Sequence, residues 1–407
     1  MSESVIYQVE DGAAVTNLNS MKRFEVAQSM LWNAEDMMAK TKPSSVPPYV
    51  VIVDSHEEAR EVDSALKRSK QLDGNSINPT TFSLPSPIRL KLEEARGALF
   101  HGRGFVVIRL GVDLKSYTEE EKVTLFLGVA SYLCDEIGVQ DKTGAAITHV
   151  TSARHWTVPS ELRHGIHTAS ALAFHSDVGC DILALHCRSQ AEKGGHTYLA
   201  SALNIYRDLL TSYPDCLDTL TQPAWPIQIA ANPPRHILAP LIQVSQGKVW
   251  ISVDPGRLGL HPVTAQSGIK TDIPELTPRQ HEALRVLNSL ASKHRLRLET
   301  RPGDMVFISN WSHLHARDAF EDPIEGPPRH LVRLWMRDSK LSWSPVPESM
   351  RVPWEAAYGN DLIQRRFPAY PARKYKTPAY TAGSAAFMLE EADDVNCETA
   401  DSEATSG

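Results

Sequence analysis

The sequence predicts an α+β fold: a double-stranded β-helix, or jelly roll, with helices on its outside. Three observations predict it. Short apolar segments recur, as at 104–110, 182–187, 305–309 and 330–337. Between them lie capped segments whose apolar residues follow helical spacing. No glycine-rich phosphate loop or dinucleotide fingerprint interrupts the series, which removes the doubly wound alternatives.

Each element has its own signal. Pro43, Pro47 and Pro48 precede an apolar strand at 49–53, and the rest of 1–86 reads as a partly ordered extension. Helical periodicity over 88–100 stops at Gly102, and 104–110 is a buried strand. Thr118 and Glu121 make a capping box for a helix running to about Glu136. Strands are expected at 171–176, 182–187 and 197–200, then a helix from Ser201 to Leu210 and a strand at 249–253. Thr277, Pro278 and Gln280 open a helix to about Lys293. Strands at 296–300, 305–309 and 330–337 follow, and a helix over 354–366 closes the order. The domain is thus placed at 87–370, with a C-terminal segment, 371–407.

Composition narrows the function. Hydrophobic residues make up 42% of the 407, enough for a sizeable core. The net charge of −7 sits in the tail: residues 388–407 carry seven acids and no Lys or Arg. The body is therefore formally neutral, which gives no reason to expect nucleic acid as a partner. The acidic tail itself reads as disordered and solvated. Five cysteines without a CxxC pair argue against a disulfide scaffold or structural zinc, and fit a reducing, cytoplasmic setting. No signal peptide is readable, and no apolar run is long enough to span a membrane.

Four blocks carry chemistry. His175-Ser176-Asp177 ends an apolar strand, where residues two apart share a face. With a distant histidine this makes the two-His-one-carboxylate set of non-haem Fe(II) oxygenases, which leaves three octahedral positions open. Lys193-Gly194-Gly195-His196-Thr197 is a turn into a strand. Asn310-Trp311-Ser312-His313-Leu314-His315 offers two histidine candidates for the third ligand. The fourth block is Arg329 to Arg337. As a strand it puts Arg329, Leu331, Arg333, Trp335 and Arg337 on one face. If that face points inward, each arginine needs an anion. Read blandly, the same blocks are a polar pair, a hairpin turn, a loop cap and a solvated face.

Their order and spacing resemble the taurine dioxygenase-like (TauD/TfdA-like) branch of the Fe(II)/2-oxoglutarate oxygenases. That branch shows H-x-D, a G-G-D-T-like turn, N-x(4)-H-x-R-x(2)-F and R-H-L-x-R. Here they read His175-Ser-Asp177, Gly194-Gly-His-Thr197, Asn310…His315-Ala-Arg317…Phe320 and Arg329-His-Leu-Val-Arg333. The chain also looks like fungal members in natural-product pathways. The resemblance implies iron ligands His175, Asp177 and His315; His313 has no counterpart among the ligands and is read as a support behind them or as structural. It implies Thr197 and Arg329 on the distal carboxylate of 2-oxoglutarate, with Fe(II), 2-oxoglutarate and O2 as cofactors. It also implies Arg333 on a substrate acid, and Trp335 beside it is expected to cover the substrate's apolar part. One departure is His196, where the branch has an acid.

The expected reaction is oxidation of an unactivated C–H bond of a small acidic molecule. Asp177 favours hydroxylation, desaturation or ring formation, because halogenating relatives carry a small residue there. The expected partner is a small-molecule substrate, with no nucleic acid and no membrane; self-association is left open. A γ-butyrobetaine-hydroxylase-like enzyme shares the third block, but such proteins carry an N-terminal cysteine cluster, and no cysteine precedes Cys134. A JmjC-type protein hydroxylase usually anchors 2-oxoglutarate through lysine. A catalytically silent binding member would not need the intact set. Residues 154–167, with His155, Trp156, His164 and His167, read as a lid or pocket wall.

Overall fold

The computed structural model describes residues 32–39, 46–231, 234–260, 270–359 and 363–376. Two sheets organise it. Their strands are β1 (Val50–Val53), β2 (Phe105–Leu110), β3 (Glu136–Ile137), β4 (Ile147–Thr151), β5 (Leu172–His175), β6 (Ile182–Ser189), β7 (Thr197–Ser201), β8 (Leu296–Arg297), β9 (Met305–Ser309), β10 (His313–Arg317) and β11 (His330–Arg337). The larger sheet runs β1-β2-β9-β6-β11-β3, with β4 also on β11. The smaller runs β8-β7-β10-β5, all antiparallel. Only β1 and β2 pair in parallel among these strands.

Alternation sends each face of the larger sheet to a different core. Val106 and Ile108 of β2, and Val332, Leu334 and Met336 of β11, pack under the helices Ser86–Phe100 and Glu119–Ala130. Phe105, Val107, Leu331 and Trp335 point the other way, where Leu199 of β7 and Leu296 of β8 meet them. The arginine-bearing face of β11 is therefore the inner one. A third cluster lies behind the smaller sheet, under Ala202–Ser212, Pro214–Thr221 and Pro278–Lys293.

Four expectations are corrected. The helix from Thr118 ends at Ala130, and the chain turns so that Glu136–Ile137 can pair with β11. The strand from Leu296 ends at Arg297. The last helix is Arg351–Tyr358, stopped at Gly359 rather than continuing to Arg366. No boundary falls at residue 86: β1 joins the larger sheet, and the capped helix His56–Ser69 buries Val62, Ala65 and Leu66 in the same core. The acidic tail and Cys397 lie outside the described residues. Cys134, Cys180, Cys187 and Cys216 are free, and no described helix is long and apolar enough to cross a membrane.

Residues 363–376 lie as a strap across the segment before β5. Ala372 O accepts from Trp156 Nε1 at 2.7 Å and His155 Nε2 at 3.0 Å. Pro368 O meets His149 Nε2 at 3.0 Å, and the Tyr375 hydroxyl meets His167 Nδ1 at 3.1 Å. His149 in turn shares a 2.8 Å contact with His330. Burial pushes His149 and His167 down to about 4 and His330 to about 3, from 6.5. Folded, they stay neutral where the unfolded chain takes up protons, so stability falls as pH drops from 6.5 toward 4. Each contributes at most about 1.4 kcal/mol per pH unit in that window. Urea unfolding at about pH 5 should show a lower midpoint than at about pH 7.5, with a smaller gap in His330→Gln. Equal midpoints would mean that these rings are not held neutral.

Candidate active site

His175 and His315 face each other across β5 and β10, paired in register, with ring centroids 4.1 Å apart. The strand ends at His175, so Asp177 is not placed by pleating as expected. It stands in the turn beyond, which a single side chain pins. Asn310 Oδ1 accepts from Asp177 N at 2.9 Å, and its Nδ2 donates to Asp177 O and Cys180 O, each at 2.8 Å. Gly179, at φ +88°, closes the turn against Pro353 O, where a Cβ would stand 2.6 Å away.

The three ligand atoms lie within 4.8 Å of one another, and all three residues are buried. Asp177 Oδ1 is 3.8 Å from His175 Nε2 and 3.6 Å from His315 Nε2. His175 Nδ1 is 2.7 Å from Ala173 O. A carbonyl only accepts, so that nitrogen carries the proton and Nε2 keeps its lone pair for a metal. Burial pushes His315 down to about 3, which leaves it neutral. Burial alone would raise Asp177, but the Arg333 guanidinium and the Trp335 N–H outweigh it and hold the carboxylate below its ordinary value. Asp177 Oδ1 is buried and has no hydrogen-bond partner among the described residues. An unsatisfied buried carboxylate oxygen between two imidazoles is costly alone and suited to a divalent cation. The donor set fits iron.

His313 lies elsewhere. It stacks on Trp32 at 5.8 Å and accepts from the Trp32 indole N–H at 3.3 Å.

At the far end of β7, Arg329 is 4% exposed. Its Nε donates to Gly195 O at 2.9 Å, and its Cζ lies 5.4 Å over the Phe320 ring. Its two terminal nitrogens have no acceptor among the described residues. Burial lowers its pKa, only partly offset by Cys187, Asp318 and Asp322. Thr197, buried on β7, likewise has a hydroxyl without a partner among them. Gly195 makes the approach feasible: at φ +69°, a Cβ there would meet Arg329 Cδ and Nε at 2.7 Å. The unusual His196 is exposed and pairs with Asp318, Nδ1 to Oδ2 at 3.0 Å, so the acid beside this turn comes from just past the end of β10.

Arg333 and Trp335 overturn an expectation. Arg333 is 4% exposed, and its anion is Asp177: Nη1 donates to Oδ2 at 2.9 Å. Trp335 Nε1 donates to the same oxygen at 2.8 Å. Arg333 thus has an anion within the protein, and its burial alone does not call for an acidic substrate. Two further residues support the site: Gln140, which belongs to no motif, and Arg317, the arginine of the third block. Gln140 Oε1 accepts from Arg333 Nε at 2.7 Å. Arg317, buried and lowered to about 9 by burial and then by Arg329, donates to Thr168 O at 3.0 Å and to Ser170 O, which fixes the approach to β5.

Residues 68–335 match the model of the family described as taurine catabolism dioxygenase TauD, TfdA family. The chain belongs to that family. It is an Fe(II)/2-oxoglutarate-dependent dioxygenase, with Fe(II), 2-oxoglutarate and O2 as cofactors. This TauD/TfdA chain is 29% identical over 369 residues to the taurine hydroxylase-like protein SAT17 of Stachybotrys chartarum, covering 88% of this chain and 92% of that protein. To the FR-33289 synthase of Streptomyces rubellomurinus it is 28% identical over 251 residues, covering 58% and 70%. In fold it is similar to an asparagine oxygenase solved with Fe(II), 3-hydroxyasparagine and succinate, at TM-score 0.54 and 17% identity, over 71% of this chain and 93% of that one. It is likewise similar to the non-haem iron oxygenase OrfP with Fe and α-ketoglutaric acid, at TM-score 0.51 and 18% identity, over 71% and 94%.

Proposed function

We propose that His175, Asp177 and His315 hold the Fe(II), that Arg329 and Thr197 seat the distal carboxylate of 2-oxoglutarate, and that the enzyme oxidises a C–H bond of a small biosynthetic molecule. The two sheets are read as the halves of a jelly roll. The observation that carries the assignment is a buried guanidinium whose two terminal nitrogens meet no acceptor among the described residues, just before the strand that runs past the three-residue cluster. Arginine's planar fork matches a carboxylate, and one in this position lacks only the ligand. Iron with its cosubstrate and O2 supplies the oxidant that removes hydrogen from the substrate, while 2-oxoglutarate leaves as succinate and CO2. The chain's own residues do the rest. The imidazoles of His175 and His315 and the Asp177 carboxylate would hold the metal through three donors and leave its other positions to cosubstrate and O2. Arg329 sets how deep the cosubstrate sits, and the apolar inner cluster excludes water.

With Asp177 in place, hydroxylation, desaturation and oxidative ring closure are the reactions in view. Free amino acids are the first substrates to test, because the asparagine oxygenase and OrfP structures contain hydroxylated amino acids. Release of labelled CO2 from 1-labelled 2-oxoglutarate should require Fe(II), rise with a true substrate and stop with a chelator. A protein that binds Fe(II) yet never consumes 2-oxoglutarate, with or without substrate, would overturn the reading.

A further inference from the structure

The arrangement around Asp177 Oδ2 points to a function for Arg333 and Trp335. A carboxylate can take a metal with one oxygen or with both. Asp177 is 0% exposed, and its two oxygens are treated oppositely. Oδ2 accepts two donors, Arg333 Nη1 at 2.9 Å and Trp335 Nε1 at 2.8 Å. Oδ1 accepts none and is turned toward both histidines.

The donors are themselves fixed. Arg333 and Trp335 are two apart on β11, so both project to the inner face. Gln140, 2% exposed, donates its amide to Ala146 O at 2.8 Å and Arg333 O at 3.1 Å. That orientation leaves its Oε1 facing Arg333 Nε. Asn310 holds the backbone of the same turn from the other side. The carboxylate can neither rotate nor offer its second oxygen without abandoning two hydrogen bonds in a dry interior.

We propose that Arg333 and Trp335, with Gln140 orienting Arg333, are positioning residues that restrict Asp177 to one-oxygen ligation. The consequence is a count of open positions. One-oxygen binding leaves three of six octahedral positions, enough for a two-point chelate and O2; two-oxygen binding would leave two. This inference rests on the metal assignment proposed above, but not on the cosubstrate.

The test uses the full chain loaded with Mn(II) alone, without 2-oxoglutarate or substrate, and counts metal-bound waters by water-proton relaxation. About three waters are expected in the unaltered protein, and about two in Trp335→Phe, because the released carboxylate closes on the metal with both oxygens. Gln140→Leu, which removes only the support behind Arg333, should move the count the same way and serves if Trp335→Phe does not fold. Trp335→Phe should then lower turnover more than it raises the substrate KM. Three waters retained in the folded variants would overturn the proposal, whether or not Mn(II) affinity weakens, since these residues would then serve only stability. A raised substrate KM with the count unchanged would return them to substrate binding. A protein that binds no Mn(II) at this site would instead overturn the metal assignment, which separates the two failures.

Discussion

Asp177→Asn and His315→Ala are each expected to abolish 2-oxoglutarate-dependent CO2 release and to yield protein with far less than one equivalent of iron. Three ligand atoms within 4.8 Å form the site, so loss of one leaves two imidazoles or one imidazole and a carboxylate. Even residues that only orient metal ligands typically cost tenfold to a hundredfold, roughly, in affinity or activity. Removing a ligand should cost more. His313→Ala is the control, because that ring contacts Trp32 and Ser309 rather than the cluster. It should lose stability through lost packing and still bind one equivalent. Metal analysis of the three purified variants decides the matter: iron lost from His313→Ala but kept in His315→Ala would reverse the assignment of the third ligand.

Arg329→Leu should raise the 2-oxoglutarate requirement by at least about tenfold, with little change in iron content. A hydrogen bond to a charged group contributes about 1.5–3 kcal/mol, and 1.4 kcal/mol is tenfold in affinity. The side chain can offer two such bonds, since only its Nε is committed, to Gly195 O. Arg329→Lys should recover part of the loss, because an ammonium restores charge but not the planar fork. Titrating 2-oxoglutarate against CO2 release in both variants tests this, and an unchanged requirement in Arg329→Leu would remove the arginine from the cosubstrate.

The cluster was legible because its residues sit in short motifs with rigid spacing. H-x-D pointed to two members of the cluster, although the turn pinned by Asn310, not the pleat, brings Asp177 to it. β10 was not among the expected strands. Its five residues, His313 to Arg317, alternate polar and apolar side chains, but all five are buried, so the polar ones face a site rather than solvent. The inner face of β11 follows from the pleat, but the partner of Arg333 does not: a carboxylate that offers one oxygen to a metal still has a second to offer a guanidinium. Gln140 belongs to no motif, and its contact to Arg333 spans 193 positions. The strap escaped similarly. Its role rests on backbone carbonyls of Pro368 and Ala372, and a carbonyl leaves no trace in residue identity.

The turn before β7 sets terms for anyone who would re-engineer the pocket. Two adjacent positions there differ completely in what they can carry. His196 is exposed against Asp318 and can be varied to tune the neighbouring surface. Gly195 cannot, since even a methyl group would fall 2.7 Å from the Arg329 side chain and require a left-handed backbone. The placement of the Arg329 guanidinium is thus specified by an empty volume one turn away, and a combinatorial library that fills it would displace that charge while leaving every polar residue around it intact.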